Sequence, residues 1–481
     1  MAFTKNPSVS TYQTKGVNLL GELNARGTVL GTDVDYQDCY PEIIKNQDTK
    51  EQSVFIRKRN GFESFISVGA SIRGVFYWED QSKLFVATGH NIKVYSIPTG
   101  TLSTTLTNIF PTTTSGDIGF TLFLYEDGIV KLVVTDGTTL STVDTSNTVV
   151  AGADVDMPVH YPSLVFLDGY LFLVKTNSAD LYNSDLNDPL AFSVDGFISA
   201  ESIPDRATKV IKMNNYILVF GNDSIEYLWN AANEAPGSPL QRNDTPVKLT
   251  GLAGGIAQLG SKVFFVGDIN NSQTDVFLLE DFKITSIGTE FIRRFISSST
   301  TFLYSGCISM DGRDFFVLNT GAATFVYDIE AKVWHRWTWR GNTTLDAFFP
   351  MTLKSGNTPI SLFVRITSIY KFSPTLYQDA GGSTAVQIVT NNHDFDMYDQ
   401  KFMSRLTVVA DKPTTYNTLS VSWSDDDYQT FNTPVTLDLY QERPSINRLG
   451  RFRRRAFKFT HIANLPLRIK QINVDLNLGQ H

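Results

Sequence analysis

The run Ile308 to Trp339, ISMDGRDFFVLNTGAATFVYDIEAKVWHRWTW, carries two hairpins in series. Their turns fall at Asp311-Gly312 and Glu330-Ala331, and four apolar runs surround them, as a four-stranded propeller blade requires. Six further stretches repeat the order of apolar strand, polar turn and apolar strand: GVFYWEDQSKLFVAT, FTLFLYEDGIVKLVV, SLVFLDGYLFLV, KVIKMNNYILVFG, IAQLGSKVFFVG and AFFPMTLKSGNTPISLFV. The turn centres lie near Asp80, Asp127, Asp168, Asn214, Gly260, Asp311 and Ser355. The step is therefore about 41 to 51 residues, the period of propeller blades. Some units are degenerate, and the last hairpin and the first could share one blade. The reading is an all-β chain with a six- or seven-bladed β-propeller over residues 51–380.

Outside the repeats the pattern changes. SVFIRKRNGFESFISVG, ending at Gly69, alternates as a strand or two and could supply the outer strand that closes the ring. GGSTA, Gly381 to Ala385, marks a boundary. Beyond it VQIVT, RLTVVAD, LSVSW, VTLDLYQ, RRAFKFT and LRIKQINVDLNL predict about six or seven strands, a β-sandwich-like platform domain over 381–481. Residues 1–50 are polar with scattered apolar positions at Val17, Leu19, Leu20 and Ile43. They read as an N-terminal arm that contributes to the platform or to assembly, ordered against a neighbouring subunit or the flank of the ring.

Composition narrows the function classes. A chain of 481 residues exceeds the size of a single core, since cores rarely grow past about 250 to 300 residues. Lys and Arg number 41 against 49 Asp and Glu, a net charge of −8, which argues against a protein built to wrap nucleic acid. A channel that DNA passes without sticking stays compatible. Aromatics make up 12%, with 34 Phe and 19 Tyr, side chains suited to pleated, half-buried surfaces. Convincing 3.6-residue periodicity is scarce. Cys39 and Cys307 offer no disulfide framework and no CxxC site. The N-terminus has no apolar signal core and no stretch approaches about 18 continuous apolar residues, so the expectation is a soluble, cytoplasm-made product that does not insert in a membrane.

Several motifs invite chemistry. Ser424, Asp426, Thr430 and Phe431 match the Asp-box turn, with Tyr428 where glycine is usual; its role is structural, and cation binding by Asp425, Asp426 and Asp427 is the lesser reading. Two basic clusters stand out: Arg57, Lys58 and Arg59, and Arg448, Arg451, Arg453, Arg454 and Arg455. Consecutive strand residues alternate faces, so each cluster splits between two sides. These residues and the three aspartates are candidates for interface salt bridges, and phosphate contacts in a channel are the sharper alternative. Trp334, Trp337 and Trp339 could stack a glycan or another partner, but blade-to-blade packing is favoured because alternate residues share one face. The six histidines show no ligand spacing, and no GxSxG, P-loop or strand-to-helix GxGxxG occurs. No catalytic residue, metal site or cofactor is predicted.

Taken together, GVNLLGEL at 16–23, LDGYLFLVKTNSADLYNSDLNDPLAF at 167–192, SAESIPDRATKVIKMNNYILVFGNDSIEYLWNA at 199–231, LAGGIAQLGSKVFFVGD at 252–268, SDDDYQTF at 424–431 and LGRFRRRAFKFT at 449–460 resemble the tail hub or nozzle (packaged-DNA stabilisation) proteins of short-tailed bacteriophages. The most specific part includes Ile203-Pro204-Asp205-Arg206 and Gly221-Asn222-Asp223-Ser224-Ile225-Glu226. The resemblance implies a homohexameric virion component that extends the portal and adaptor channel, retains packaged double-stranded DNA and conducts it during ejection. It also implies docking of tail fibres, tailspikes or needle proteins. Two departures bear on turn geometry only: the Asp-box lacks glycine at Asp427 and Tyr428, and Ile203 replaces a small polar residue.

An enzyme of sialidase-like type is the rival from another class. Such enzymes carry several Asp-boxes on the blades with an arginine triad and a tyrosine nucleophile, whereas this chain has one degenerate box outside the ring. A glycan-binding tail module is the other rival, with Trp334 to Trp339 as its natural site.

Overall fold

A computed structural model describes residues 12–21, 34–45, 52–200, 205–248, 250–269, 273–298, 304–341 and 343–478. Six four-stranded sheets and the first four strands of a ten-stranded sheet form seven blades. In each blade the second strand is the most apolar. Leu84 to Thr88, Leu171 to Val174, Ile217 to Gly221 and Phe315 to Asn319 are buried without interruption, because neighbouring blades cover both faces of that strand. Fourth strands lie at the rim and carry little apolar signal: Thr101–Leu106 and Lys283–Ser286 are mostly exposed.

Closure of the ring uses the N-terminal side of the chain. Phe62–Ser67 pairs antiparallel with Ser368–Phe372 as the outer strand of the seventh blade, the role that its alternation predicts. The last hairpin and the first belong to different blades, so the count is seven rather than six. Hairpins at Asp168-Gly169 and Asp311-Gly312 place both turn residues at positive φ, 51° and 83°, and 53° and 74°, the twist that matches flanking strands.

One helix, Glu290–Ser298, departs from the all-strand expectation. It buries Ile292 and Ile296, one turn apart, against the fifth and sixth blades, and Arg294 pairs with Glu290 at 2.8 Å. Thr289 opens it, with its Oγ1 accepting from the Ile292 N–H at 3.4 Å. No helix among the described residues is long and apolar enough to cross a membrane.

Two sheets packed face to face form a sandwich beside the ring. One has the order Cys39–Lys45, Gln52–Lys58, Arg468–Leu478, Lys401–Ala410, Ser445–Phe452, with Tyr12–Gly16 also paired to Arg468–Leu478. The other contains Asp35–Gln37, Val386–Val389, Ala456–His461, Thr418–Ser424 and Val435–Asp438. Tyr36, Ile388, Leu406, Val421, Phe459 and Ile472 share the core between them. The described part of the N-terminal arm joins the platform through Tyr12–Gly16 on Arg468–Leu478 and meets the flank of the ring through Asp35–Gln37. One expectation needs correction: Gln52–Lys58 lies in the sandwich instead of the ring. Residues 1–11, 22–33 and 46–51 of that region, and Ile203 and Pro204 of the family motif, lie outside the described residues.

The ring and the sandwich share one sheet. Val333–Trp339, the outer strand of the sixth blade, pairs in parallel with Asp35–Gln37, which in turn pairs with Val386–Val389. The ten-stranded sheet thus runs from the propeller shaft out to Val435–Asp438 at the far edge of the sandwich.

Candidate functional site: the ring-sandwich joint and the arginine clusters

Arg57, Lys58 and Arg59 lie where the chain leaves the sandwich for the ring. Alternation sends Arg57 to the rim of the joint, where it reaches Asp311 in the sixth-blade turn at 2.9 Å and Glu42 in the sandwich at 3.6 Å. Glu42 also receives Arg468 at 2.7 Å. Lys58 is buried and donates through Nζ to the carbonyls of Ala463 at 2.8 Å and Thr384 at 3.3 Å. Burial, reinforced by Arg59, brings its ammonium down to about 8.

Arg59 is the centre of the joint. Its guanidinium donates to Asp38 at 2.8 Å, to both carboxylate oxygens of Asp379 at 2.8 and 2.7 Å, and to the carbonyls of Thr338 and Asn60. Its guanidinium carbon lies 5.1 Å from the Phe62 ring centre and 5.9 Å from that of Trp337. Three segments are tied at this point: Asp38 in the sandwich, Thr338 on the sixth blade, and Asp379 on the return to the sandwich. Asp38 also accepts from the Thr338 N–H at 2.9 Å and from its hydroxyl. Burial pushes the Asp38 carboxyl up against the pull of Arg59, whereas the two aspartates hold the Arg59 guanidinium above its usual value despite its burial.

Close approach completes the joint. A Cβ on Gly61 would sit 2.1 Å from the Gln378 carbonyl oxygen, so only glycine permits this crossing. Next to it, Arg313 donates to Asp328 at 2.7 Å and to the Pro41 carbonyl at 3.3 Å, joining sixth blade and sandwich again.

The second cluster divides. Arg455 is buried and makes a two-pronged contact with Asp425 at 2.7 and 2.8 Å, stacking on Phe452 at 4.3 Å. Arg454 pairs with Asp427, which also accepts from Asn392 at 2.8 Å. Asp426 makes the Asp-box contacts, accepting from the Thr430 N–H at 2.9 Å and from Ser424 Oγ at 2.7 Å; bonds from Thr430 and Ser424 hold its carboxyl down at about 2. Asp427 and Tyr428 take φ of 58° and 67°, the left-handed backbone that the usual glycines would adopt. All three aspartates are engaged inside the chain, and no group of three or more potential metal ligands occurs among the described residues.

Arg448, Arg451 and Arg453 are different. All three are exposed, on or just after Ser445–Phe452, a strand that the sequence reading missed. Its pattern is broken by a bulge near Met403 and Arg405 and by positive φ at Arg448 and Gly450. Neither an ion pair nor a hydrogen bond from these three side chains occurs among the described residues. Beside them, a recess formed by Asp394, Met397, Tyr398, Arg453 and Arg454 leaves Tyr398 88% exposed.

The tryptophans follow strand parity. Trp334 faces the fifth blade, packs on Phe316 and Tyr327, and donates through Nε1 to the Ile287 carbonyl at 2.6 Å. Trp337 and Trp339 face the other way, toward Phe62, Phe372 and Tyr370 of the seventh blade. Trp334 and Trp337 are each 1% exposed, so a glycan cannot stack on either; Arg365 covers Trp339 at 4.2 Å. His335 lies buried among these rings, and its imidazole is pushed down to about 3 by burial and by Arg313 and Arg59.

A family model described as "Bacteriophage P22 Gp10, beta-propeller" matches residues 23–342. It spans the closing strand and six blades and stops short of the seventh blade's inner strands. No curated protein matches. Among solved structures the chain is similar to a streptogramin B lyase, at 12% identity and a TM-score of 0.44 over 65% of this chain and 97% of that one. It is similar to virginiamycin B lyase from Staphylococcus aureus, at 12% identity and a TM-score of 0.43 over 66% and 99%. The N-terminal domain of Nup159 is also similar, at 12% identity and a TM-score of 0.41 over 70% and 99%.

Proposed function

The chain belongs to the bacteriophage P22 Gp10 beta-propeller family, and from that premise we propose that this structural phage tail protein is a tail hub or nozzle. Six copies surround a channel that continues the portal and adaptor, hold the packaged DNA, conduct it during ejection and dock fibres, tailspikes or a needle. The role is non-enzymatic: the chain offers rigid surfaces, and it is made in the host cytoplasm before it joins the virion.

The observation that carries this reading is the joint. A shared sheet and the buried Arg59 contacts tie ring and sandwich to each other, as a part that holds position against pressurised DNA requires. The net charge of −8 per chain supports a bore that does not grip its cargo, because each phosphate neutralised adds salt-dependent affinity. In this reading Arg448, Arg451 and Arg453 are contacts to a sister subunit or the adaptor, with acidic partners outside this chain.

The test is a phage stock made without this chain. DNA-filled heads should form and then leak, and purified protein added in vitro should restore retention and infectivity. Particles that keep their DNA and infect without it would overturn the proposal.

A further inference from the structure

We propose that one mouth of the propeller shaft is a binding site for an organic anion, a carboxylate carried on an apolar stem. The inference rests on the ring alone and is independent of the tail assembly reading. Residues from the second to the seventh blade line a cavity of about 540 Å³, and they sit near the starts of the inner strands, which all begin at the same end of the shaft.

Two kinds of wall meet there. Ile118, Leu252, Ile256 and Phe349 give an apolar side. Facing the same space, the side chain of Lys209 on Ala207–Met213 makes no hydrogen bond or ion pair among the described residues. The nearby carboxylate of Asp117 is engaged by the Tyr304 hydroxyl at 3.2 Å. Ser305, the next lining residue, has a buried hydroxyl with no partner. Burial pushes the Lys209 ammonium below the usual lysine range, with Asp117 opposing the shift.

A half-buried ammonium without a direct partner has given up part of its hydration, and an anionic oxygen beside it would replace what is lost. An inorganic ion would leave the apolar wall against water, whereas an aliphatic or aromatic stem covers it. The carboxylate can come from a free small molecule or from the terminus of a partner chain.

Calorimetric titration of the full chain with hydrocinnamate tests this. Saturable binding is expected, about tenfold or more weaker for the neutral hydrocinnamamide and for the Lys209→Met variant. Isotope-labelled reductive methylation gives a second reading: the resonance assigned to Lys209 by its absence from the spectrum of the variant should move with hydrocinnamate and stay with the amide. A short peptide ending in phenylalanine, with a free or an amidated terminus, separates the sources. Tighter binding of the free-terminus peptide than of hydrocinnamate assigns a partner chain, and weaker binding assigns a small molecule. No saturable binding, equal binding of acid and amide, or undiminished affinity in folded Lys209→Met would overturn the site.

Discussion

Arg57 to Arg59 and Arg448 to Arg455 read alike as basic runs on strands, yet the fold uses them differently. The first run is wholly consumed inside the chain, with every cation matched to a carboxylate or a carbonyl across the ring-sandwich joint. The second gives Arg454 and Arg455 to the Asp-box turn and leaves Arg448, Arg451 and Arg453 in solvent. A charge run therefore says little until each member's partner is known. Carboxylates brought close by topology, such as Asp38 and Asp379, decide which arginine is a brace and which is free to meet another molecule.

The sharpest way to break this contrast is Arg59→Met. Removing one side of a buried ionic cluster leaves Asp38 and Asp379 uncompensated, a loss of about 3 to 5 kcal/mol. Chemical denaturation should show that loss, and proteolysis should cut near the joint while the ring persists. Adding Asp38→Asn and Asp379→Asn should restore part of the stability. Failure of the variant to lose stability would remove Arg59 from the centre of the joint.

Acid should act on the joint and the sandwich together. His335, His393 and His461 are buried, and burial lowers them from 6.5 to about 3, 4 and 3. Each is neutral in the folded chain while the unfolded chain takes up a proton below 6.5, so stability falls as pH drops from about 6.5 toward 4. The slope is up to about 1.4 kcal/mol per pH unit for each histidine. Denaturant midpoints at pH 7 and pH 5 measure it, and a flat profile would show that the three rings are accessible to protons in the folded state.

A smaller effect is expected for Arg455→Met. Asp425 keeps a side chain 40% exposed and regains water when its partner is lost, so the loss should be about 1 to 3 kcal/mol, below that of Arg59→Met. A loss as large as that of Arg59→Met would mean that the Asp-box end of the sandwich is as critical as the joint.

Much of this was legible in the sequence, for physical reasons that also mark where legibility ends. Second strands of the blades are covered on both faces and turn at Asp-Gly pairs, so the repeat and the all-β class stand out; Phe62 to Ser67 announces the closing strand by alternation. Outer strands such as Val149–Ala151 sit at the rim with little to bury, which kept the blade count open. The helix at Glu290–Ser298 is short, and its signal was the spacing of Glu290 with Arg294 and Ile292 with Ile296. Ser445–Phe452 hid behind its bulge and left-handed residues. Strand parity separated Trp334 from Trp337 and Trp339 in advance. No local pattern in the sequence could tell that Arg59 meets Asp38 and Asp379, because Asp379 is 320 residues away.

The most direct test of the account is to reverse the three outward arginines together, Arg448→Glu, Arg451→Glu and Arg453→Glu. Surface changes of this kind alter folding stability by no more than about 0.5 kcal/mol each, so the chain should stay folded by circular dichroism. Light scattering should then show loss of the ring assembly proposed for the unsubstituted chain, with DNA affinity against salt unchanged. Intact assemblies with a strongly reduced salt slope would put these arginines on the nucleic acid and contradict their assignment to assembly.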